Sequence, residues 1–366
     1  MELERMLCSK APSTTFDKSS IVKRLKCNLI KLFPSDAFDS AENKETKIFC
    51  IAGFNIQLVL PRQKKKFLFS KTFQNFISPA LEKPDIVIHV CYGKIPKVKS
   101  SEENFIAGVN KWWGLYQVEG NKVFLLYPVK RKRRSFSIAY KKTLHINGQS
   151  SIIKFKRAHD FKSINAILPL PYRIAVFKDD FKEGIIHIDY SGSSALPNPL
   201  EYPLLDLLLA ELLFLKGGIK FHGCGVVDKG QCYLFLGIPG KGKSTMARLW
   251  QNEAVVLNDD RIPVKRAGDS FLAFAMPGYT TSSKNTARGF PISKIFFLQH
   301  GSKNRIFREN GFGALSMLLN CNPVVTWDNL ILKQTVTFFT QIVKKVPCYS
   351  LYFVPDKRVL DLIRKI

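Results

Sequence analysis

From Ile48 onward the chain alternates short apolar runs with turn-forming residues. Phe49–Leu60, Phe67–Phe69, Ile86–Tyr92, Trp113–Val118, Val123–Tyr127, Phe136–Tyr140 and Ile185–Tyr190 are rich in β-branched and aromatic residues, which predicts strands. Glu119-Gly120 and Asn147-Gly148 mark turns between them. A helix is expected around Ile164–Leu168. Residues 1–45 are polar and basic with small apolar clusters such as Leu29–Phe33, so at most a surface helix is expected there. Residues 1–195 therefore read as a β-rich α+β domain, a candidate for substrate recognition.

Ser191–Pro203 is rich in Ser, Gly, Pro and Asn and reads as a linker. Beyond it the pattern changes to alternating helix and strand over 196–366. Leu204–Leu215 predicts a helix ending at Gly217-Gly218. Ile219–Val227 and Cys232–Leu236 predict a hairpin turning at Asp228-Lys229-Gly230. A glycine loop, a helix from Ser244 and the strand Ala254–Leu257 follow. Further strands are expected at Ile295–Gln299 and Cys348–Phe353, and helices at Phe312–Asn320, Asp328–Lys344 and Lys357–Ile366. The fold class is α/β, with a mixed sheet in this second domain.

Length and charge narrow the partners. The 366 residues favour two cores over one. The net charge is +27, with 34 basic against 17 acidic residues (+17) over 1–195 and 22 against 12 (+10) beyond. Such a field attracts phosphate-bearing or acidic partners without choosing among nucleotide, nucleic acid, anionic lipid and acidic protein. Eight dispersed cysteines without a CxxC pair fit neither zinc nor a disulfide scaffold, and a reducing, cytoplasmic setting is expected. No apolar tract is long enough for a membrane span.

The chemistry concentrates in Gly237-Ile238-Pro239-Gly240-Lys241-Gly242-Lys243-Ser244, followed by Thr245, a full G-x-x-x-x-G-K-[ST] pattern between an apolar strand and a helix start. Backbone N–H groups of such a loop cradle phosphates, aided by the helix N-terminus. Lys243 is expected to reach the β and γ phosphates of ATP, and Ser244 to ligate Mg²⁺. Asp259-Asp260 closes the next strand. One carboxylate can hold the metal while the other takes a proton from an attacking hydroxyl. His222, on the strand entering the hairpin, can orient one of them.

These pieces resemble the HPr kinase/phosphorylase-like P-loop kinases, whose nucleotide-binding fold is related to that of phosphoenolpyruvate carboxykinase. The likeness rests on Lys220-Phe221-His222-Gly223-Cys224-Gly225-Val226-Val227, on Leu236 through Thr245, and on Leu257-Asn258-Asp259-Asp260-Arg261. Phe274-Ala275-Met276-Pro277-Gly278, Ala287–Leu298 and the closing Pro347–Asp356 segment resemble later parts of the family. The likeness covers about residues 200–366 and not residues 1–195. It implies a kinase using ATP and Mg²⁺, with Asp260 as base, Asp259 as metal partner and His222 near the acceptor. Serine of a protein or peptide is the implied acceptor.

Basic residues supply further candidates. Lys284, Arg288, Lys303 and Arg305 could clamp phosphates or an acidic substrate. Lys130-Arg131-Lys132-Arg133-Arg134, downstream of Trp112-Trp113 and Tyr116, could track a nucleic-acid backbone. An RNA hydroxyl as acceptor, and a non-catalytic nucleotide-binding regulatory module, are the alternative readings.

Overall fold

In the computed structural model the described residues are 44–62, 66–78, 83–95, 105–109, 112–128, 138–146, 149–155, 171–192, 195–277, 287–322 and 329–366. They form a mixed α/β structure with large mixed sheets and few helices. The first half holds β1 (Lys44–Ile51), β2 (Phe54–Pro61), β3 (Phe67–Leu68), α1 (Lys71–Gln74), β4 (Ile77–Ser78), β5 (Ile86–Tyr92) and β6 (Phe105–Val109). It continues with β7 (Trp113–Val118), β8 (Asn121–Leu126), β9 (Ile138–Ile146), β10 (Gln149–Phe155), β11 (Arg173–Lys178), β12 (Glu183–Ile188) and β13 (Leu196–Pro197). Eleven of these strands make one sheet in the order β10-β9-β6-β7-β8-β11-β12-β5-β2-β1-β4. Period-two alternation sets its inner face. In β2, Phe54, Ile56, Leu58 and Leu60 are buried, and in β5, Ile86, Ile88 and Val90.

The second half begins with α2 (Leu204–Leu215), β14 (Gly218–Asp228), β15 (Gln231–Leu236), α3 (Lys243–Trp250), β16 (Val255–Asn258), β17 (Arg261–Ala267) and β18 (Ser270–Phe274). It ends with β19 (Gly289–His300), β20 (Arg305–Arg308), α4 (Gly311–Cys321), α5 (Asn329–Lys345), β21 (Cys348–Phe353) and α6 (Arg358–Arg364). β15, β19 and β21 run parallel and side by side. Both faces of each are buried, as parallel strands require. Leu234, Leu236 and Phe297 join the larger core, while Phe235, Phe296, Leu351 and Phe353 join a second cluster with Met246 and Trp250 of α3 and Leu360 of α6.

Two long strands serve two pairings each. The start of β14 pairs with β17, and its end pairs with β15 and β16. β19 begins beside β18 and continues between β15 and β21. Glycines permit the crossover. A Cβ on Gly223 would sit 2.4 Å from Leu236 Cδ2 and one on Gly225 2.8 Å from Ile262 Cδ1, so either would force the facing side chain to shift.

The expected linker is tied down rather than loose. β13 pairs with β3, and Leu196 and Leu200 are buried. Arg173, 1% exposed, donates from Nη1 to Glu201 O (3.2 Å) and from Nη2 to Asn198 O (3.1 Å). The Tyr92 hydroxyl donates to Pro197 O at 2.7 Å. Sequence composition hid this, because the segment is held by contacts distant in the chain. α2 then lays Leu204, Leu205, Leu208, Leu209, Leu212 and Leu213 into a core shared with Ile56, Leu58 and Ile88 of the first sheet.

β4, β6, β10, β11, β13, β17, β18 and β20 were not among the expected strands. The helix expected at Ile164–Leu168, the turn at Asn147-Gly148 and the surface helix over residues 1–43 lie outside the described residues. Cys91, Cys224, Cys232, Cys321 and Cys348 are free thiols. No helix among the described residues is long and apolar enough to cross a membrane.

Arg173→Met should remove two hydrogen bonds to the segment's carbonyls, each contributing about 0.5–1.5 kcal/mol, since both oxygens keep a backbone N–H partner. A marked drop in the thermal unfolding midpoint is the expected result; an unchanged midpoint would remove Arg173 from the forces fixing this segment.

Candidate functional site

The glycine loop leaves the C-terminal end of β15, the end of parallel strands where ligands bind in open α/β sheets. Its glycines adopt backbone angles that other residues resist: φ is +85° at Gly240 and +99° at Gly242. A Cβ on Gly242 would also meet the Phe353 ring at 2.6 Å. Gly242 is the N-cap of α3 and makes no side-chain cap, so no cap side chain takes up the first N–H groups of that helix. Helix geometry starts at Lys243, one residue before the expected Ser244.

Lys243 is folded onto its own loop. Its Nζ donates to Gly237 O at 2.7 Å and to Ile238 O at 3.2 Å. Burial pulls its pKa below the ordinary lysine value, and the nearby Cys321 and Asp260 charges work against that shift. Cys321, at the end of α4, lies against the loop. Burial raises its thiol pKa, while the Lys243 charge and a hydrogen bond with the Ile238 backbone oppose the rise.

The acidic pair sits in the turn joining β16 to β17. Buried Asn258 builds that turn, its Oδ1 accepting from the N–H groups of Asp260 and Arg261 at 2.9 Å each. The turn is stitched to β14, where Gly223 N–H donates to Asp260 O at 3.1 Å. This contact brings the side chains together. His222 Nδ1 lies 3.0 Å from Asp260 Oδ1, and Arg261 Nε lies 3.0 Å from Asp260 Oδ2. His222 is fixed in turn, because its N–H donates to Asn322 Oδ1 at 2.9 Å and Asn322 Nδ2 donates to Leu318 O at 3.0 Å. The His222 hydrogen bond holds the Asp260 pKa below its ordinary value, burial opposes the shift, and the charges of Arg261, His222 and Lys243 add to it. Asp259 is half-buried, and its charge reaches Cys224.

A second layer surrounds this pair. Asp206 of α2 receives Lys220 Nζ at 2.8 Å and faces Arg261 Nε at 3.6 Å. The Arg261 guanidinium lies 4.3 Å over the Tyr202 ring, which meets Trp112 of the first half at 5.5 Å. Sequence reasoning did not single out Asp206, Asn258, Arg261, Asn322 or Cys321 as site residues. Asp206 had a signal, an acid interrupting the leucine run of α2. Asn322 had none, since its contact spans a hundred residues of chain.

Of the basic candidates, Lys303 and Arg305 are exposed beyond the C-terminal end of β19, on the sheet edge that carries the glycine loop. Arg288 precedes the other end of that strand, over the Phe290 ring at 4.6 Å. The three therefore do not converge. Lys284 and Lys130 through Arg134 lie outside the described residues.

No family profile matches the chain, and neither does any curated protein. Among solved structures, the HPr(Ser) kinase/phosphatase from Coxiella burnetii matches with a TM-score of 0.25 and 10% identity, covering 40% of this chain and 94% of that one.

His222→Ala should return the Asp260 titration upward toward its ordinary value of 3.8. A pKa depressed in the folded state stabilises the fold above the unfolded value, and that stability is lost as pH falls through the folded value. Carboxyl-carbon NMR titration reads the shift directly. An Asp260 that titrates identically in both proteins would remove the hydrogen bond as its cause.

Proposed function

We propose that the protein is an ATP-dependent phosphotransferase that moves the γ-phosphoryl group to a hydroxyl, a serine type being the acceptor favoured by the motif likeness. One juxtaposition carries this reading: Gly223 lies opposite Leu236, the residue before the glycine loop, and donates its N–H to Asp260 O at 3.1 Å, so the loop and the His222–Asp260 pair meet at one point of β14. A phosphate cradle, a cation and a carboxylate poised by an imidazole are the parts phosphoryl transfer requires.

In this reading the loop from Gly237 to Thr245 holds the nucleotide phosphates through its backbone N–H groups, which Pro239 lacks, and through the α3 N-terminus. Lys243 exchanges its two carbonyl partners for phosphate oxygens, which bind an ammonium more strongly because they are charged. Asp260 accepts the acceptor proton, and His222 keeps its carboxylate aimed. Among the described residues no group of three or more His, Cys, Asp or Glu gathers as a metal cage. Mg²⁺ in a phosphate site needs none, since water and phosphate oxygens fill most of its coordination shell. The oxygen donors Ser244 and Asp259 suit that hard cation, which when bound neutralises charge on the transferred group. The division at about residue 195 into a recognition unit and a catalytic unit belongs to the same proposal.

Asp260→Asn should keep nucleotide binding and lower transfer by about 10²–10⁴-fold. Lys243→Ala should lose nucleotide affinity itself. Measuring both ATP binding and γ-label transfer separates the two effects. Unchanged transfer in Asp260→Asn would refute the base assignment and leave a non-catalytic nucleotide-binding module as the better account.

A further inference from the structure

A pocket of about 280 Å³ opens beside Asp260. Besides the His222–Asp260 pair it is lined by Lys220, Arg261 and Asp206 and by the rings of Phe221 and Phe339. Pockets for drug-sized ligands span roughly 300–1,000 Å³. This one therefore suits a small molecule or one side chain with its immediate neighbours. A stacked nucleobase with its sugar and flanking phosphates is too large for it.

Its charge is organised. Lys220 and Arg261 share a single carboxylate, Asp206, through contacts of 2.8 and 3.6 Å. The other carboxylate, Asp260, also answers to His222 and to the Lys243 charge. The lining thus sets two cations, Lys220 and Arg261, against the two carboxylates Asp206 and Asp260, and Arg261 touches the carboxylate that would meet the hydroxyl. Arg261 is held in a fixed pose by the Tyr202 ring under its plane and by carboxylates on Nε. A guanidinium carries five N–H donors, more than these contacts use, and a fork of that shape suits a planar or tetrahedral anion.

We propose that this pocket receives the phosphoryl acceptor and selects alcohols carrying a carboxylate or phosphate within a few bonds of the reacting hydroxyl. Lys220 and Arg261 take the anion while the hydroxyl meets Asp260. The inference rests on the phosphoryl-transfer reading above. The step balances: the acceptor oxygen–phosphorus bond forms, and the bond from the γ-phosphorus to its bridging oxygen breaks. The acceptor proton goes to Asp260, and the nucleoside diphosphate leaves with the bonding pair.

The test uses the full chain with γ-labelled ATP and Mg²⁺ and matched acceptors. Glycerate and glycerol 3-phosphate are compared with glycerol, serine with serinol, and a blocked Ser-Asp dipeptide with Ser-Asn. The anionic members should show at least about a ten-fold higher kcat/KM than their neutral partners, and the pairs separate free carboxylate, phosphate and peptide sources. Lys220→Met should raise KM for the anionic acceptors about ten-fold, with kcat within about two-fold and the KM for ATP unchanged. Lys220→Arg should restore the acceptor KM and controls for folding. Equal use of charged and neutral partners, or an acceptor KM that Lys220→Met leaves alone, overturns the proposal. So does a wild-type protein that phosphorylates a neutral peptide serine without competition from any anionic member, and in that case phosphoryl transfer itself stands. A chain that binds no ATP overturns both.

Discussion

The whole site depends on one strand being shared. β14 pairs with β17 as far as His222 and with β15 from Gly223, so two consecutive residues face two different neighbours. Gly223 lies opposite Leu236, the last residue before the glycine loop, and His222 lies opposite Arg261, next to the acid pair. The glycine loop and the carboxylates lie on different strands and are brought together by this single peptide unit. A side chain at 223 would collide with Leu236, so the dipeptide His222-Gly223 has a mechanical reason as well as a chemical one.

Around that point the protein spends buried polar groups on geometry. Asn258 ties the acid turn through two N–H groups, and Asn322 fixes the backbone of His222 from the end of α4. Both amides are buried and hydrogen-bonded, the condition under which interior polar groups specify structure rather than weaken it. Asp206 extends the arrangement through Arg261, so Asp260 is oriented from three directions: β14, β17 and α2.

Much of this was legible in the sequence. β5, β7, α2 and β21 fall at the expected residues because each carries a strong apolar rhythm of its own type, in α2 despite Asp206 and Glu211. The glycine loop declared itself by spacing. β17 and β18 did not, since Pro263, Lys265 and Arg266 break the alternation and the pairing is supplied by β14 and β19. β20, Arg-Ile-Phe-Arg at a sheet edge, is largely exposed and has no pattern to read. β11 is buried along almost its whole length, and such runs do not announce whether they are strand or helix. The proximity of His222 to Asp260 was suggested by motif likeness. The residues that hold them are joined by long-range contacts, and single-sequence patterns are silent about those.

The leucine stripe of α2 has a consequence for dissecting the molecule. Chain order suggests a cut near residue 195, yet that helix is seated among side chains from both sheets, and Trp112 props the ring beneath Arg261. Excision of the later portion would bare a greasy flank and remove the brace behind the guanidinium at the same stroke. The two halves are separate in connectivity but not in solvation. A fragment that keeps both the packing of α2 and the support behind Arg261 is therefore longer than the segment carrying the recognisable motifs.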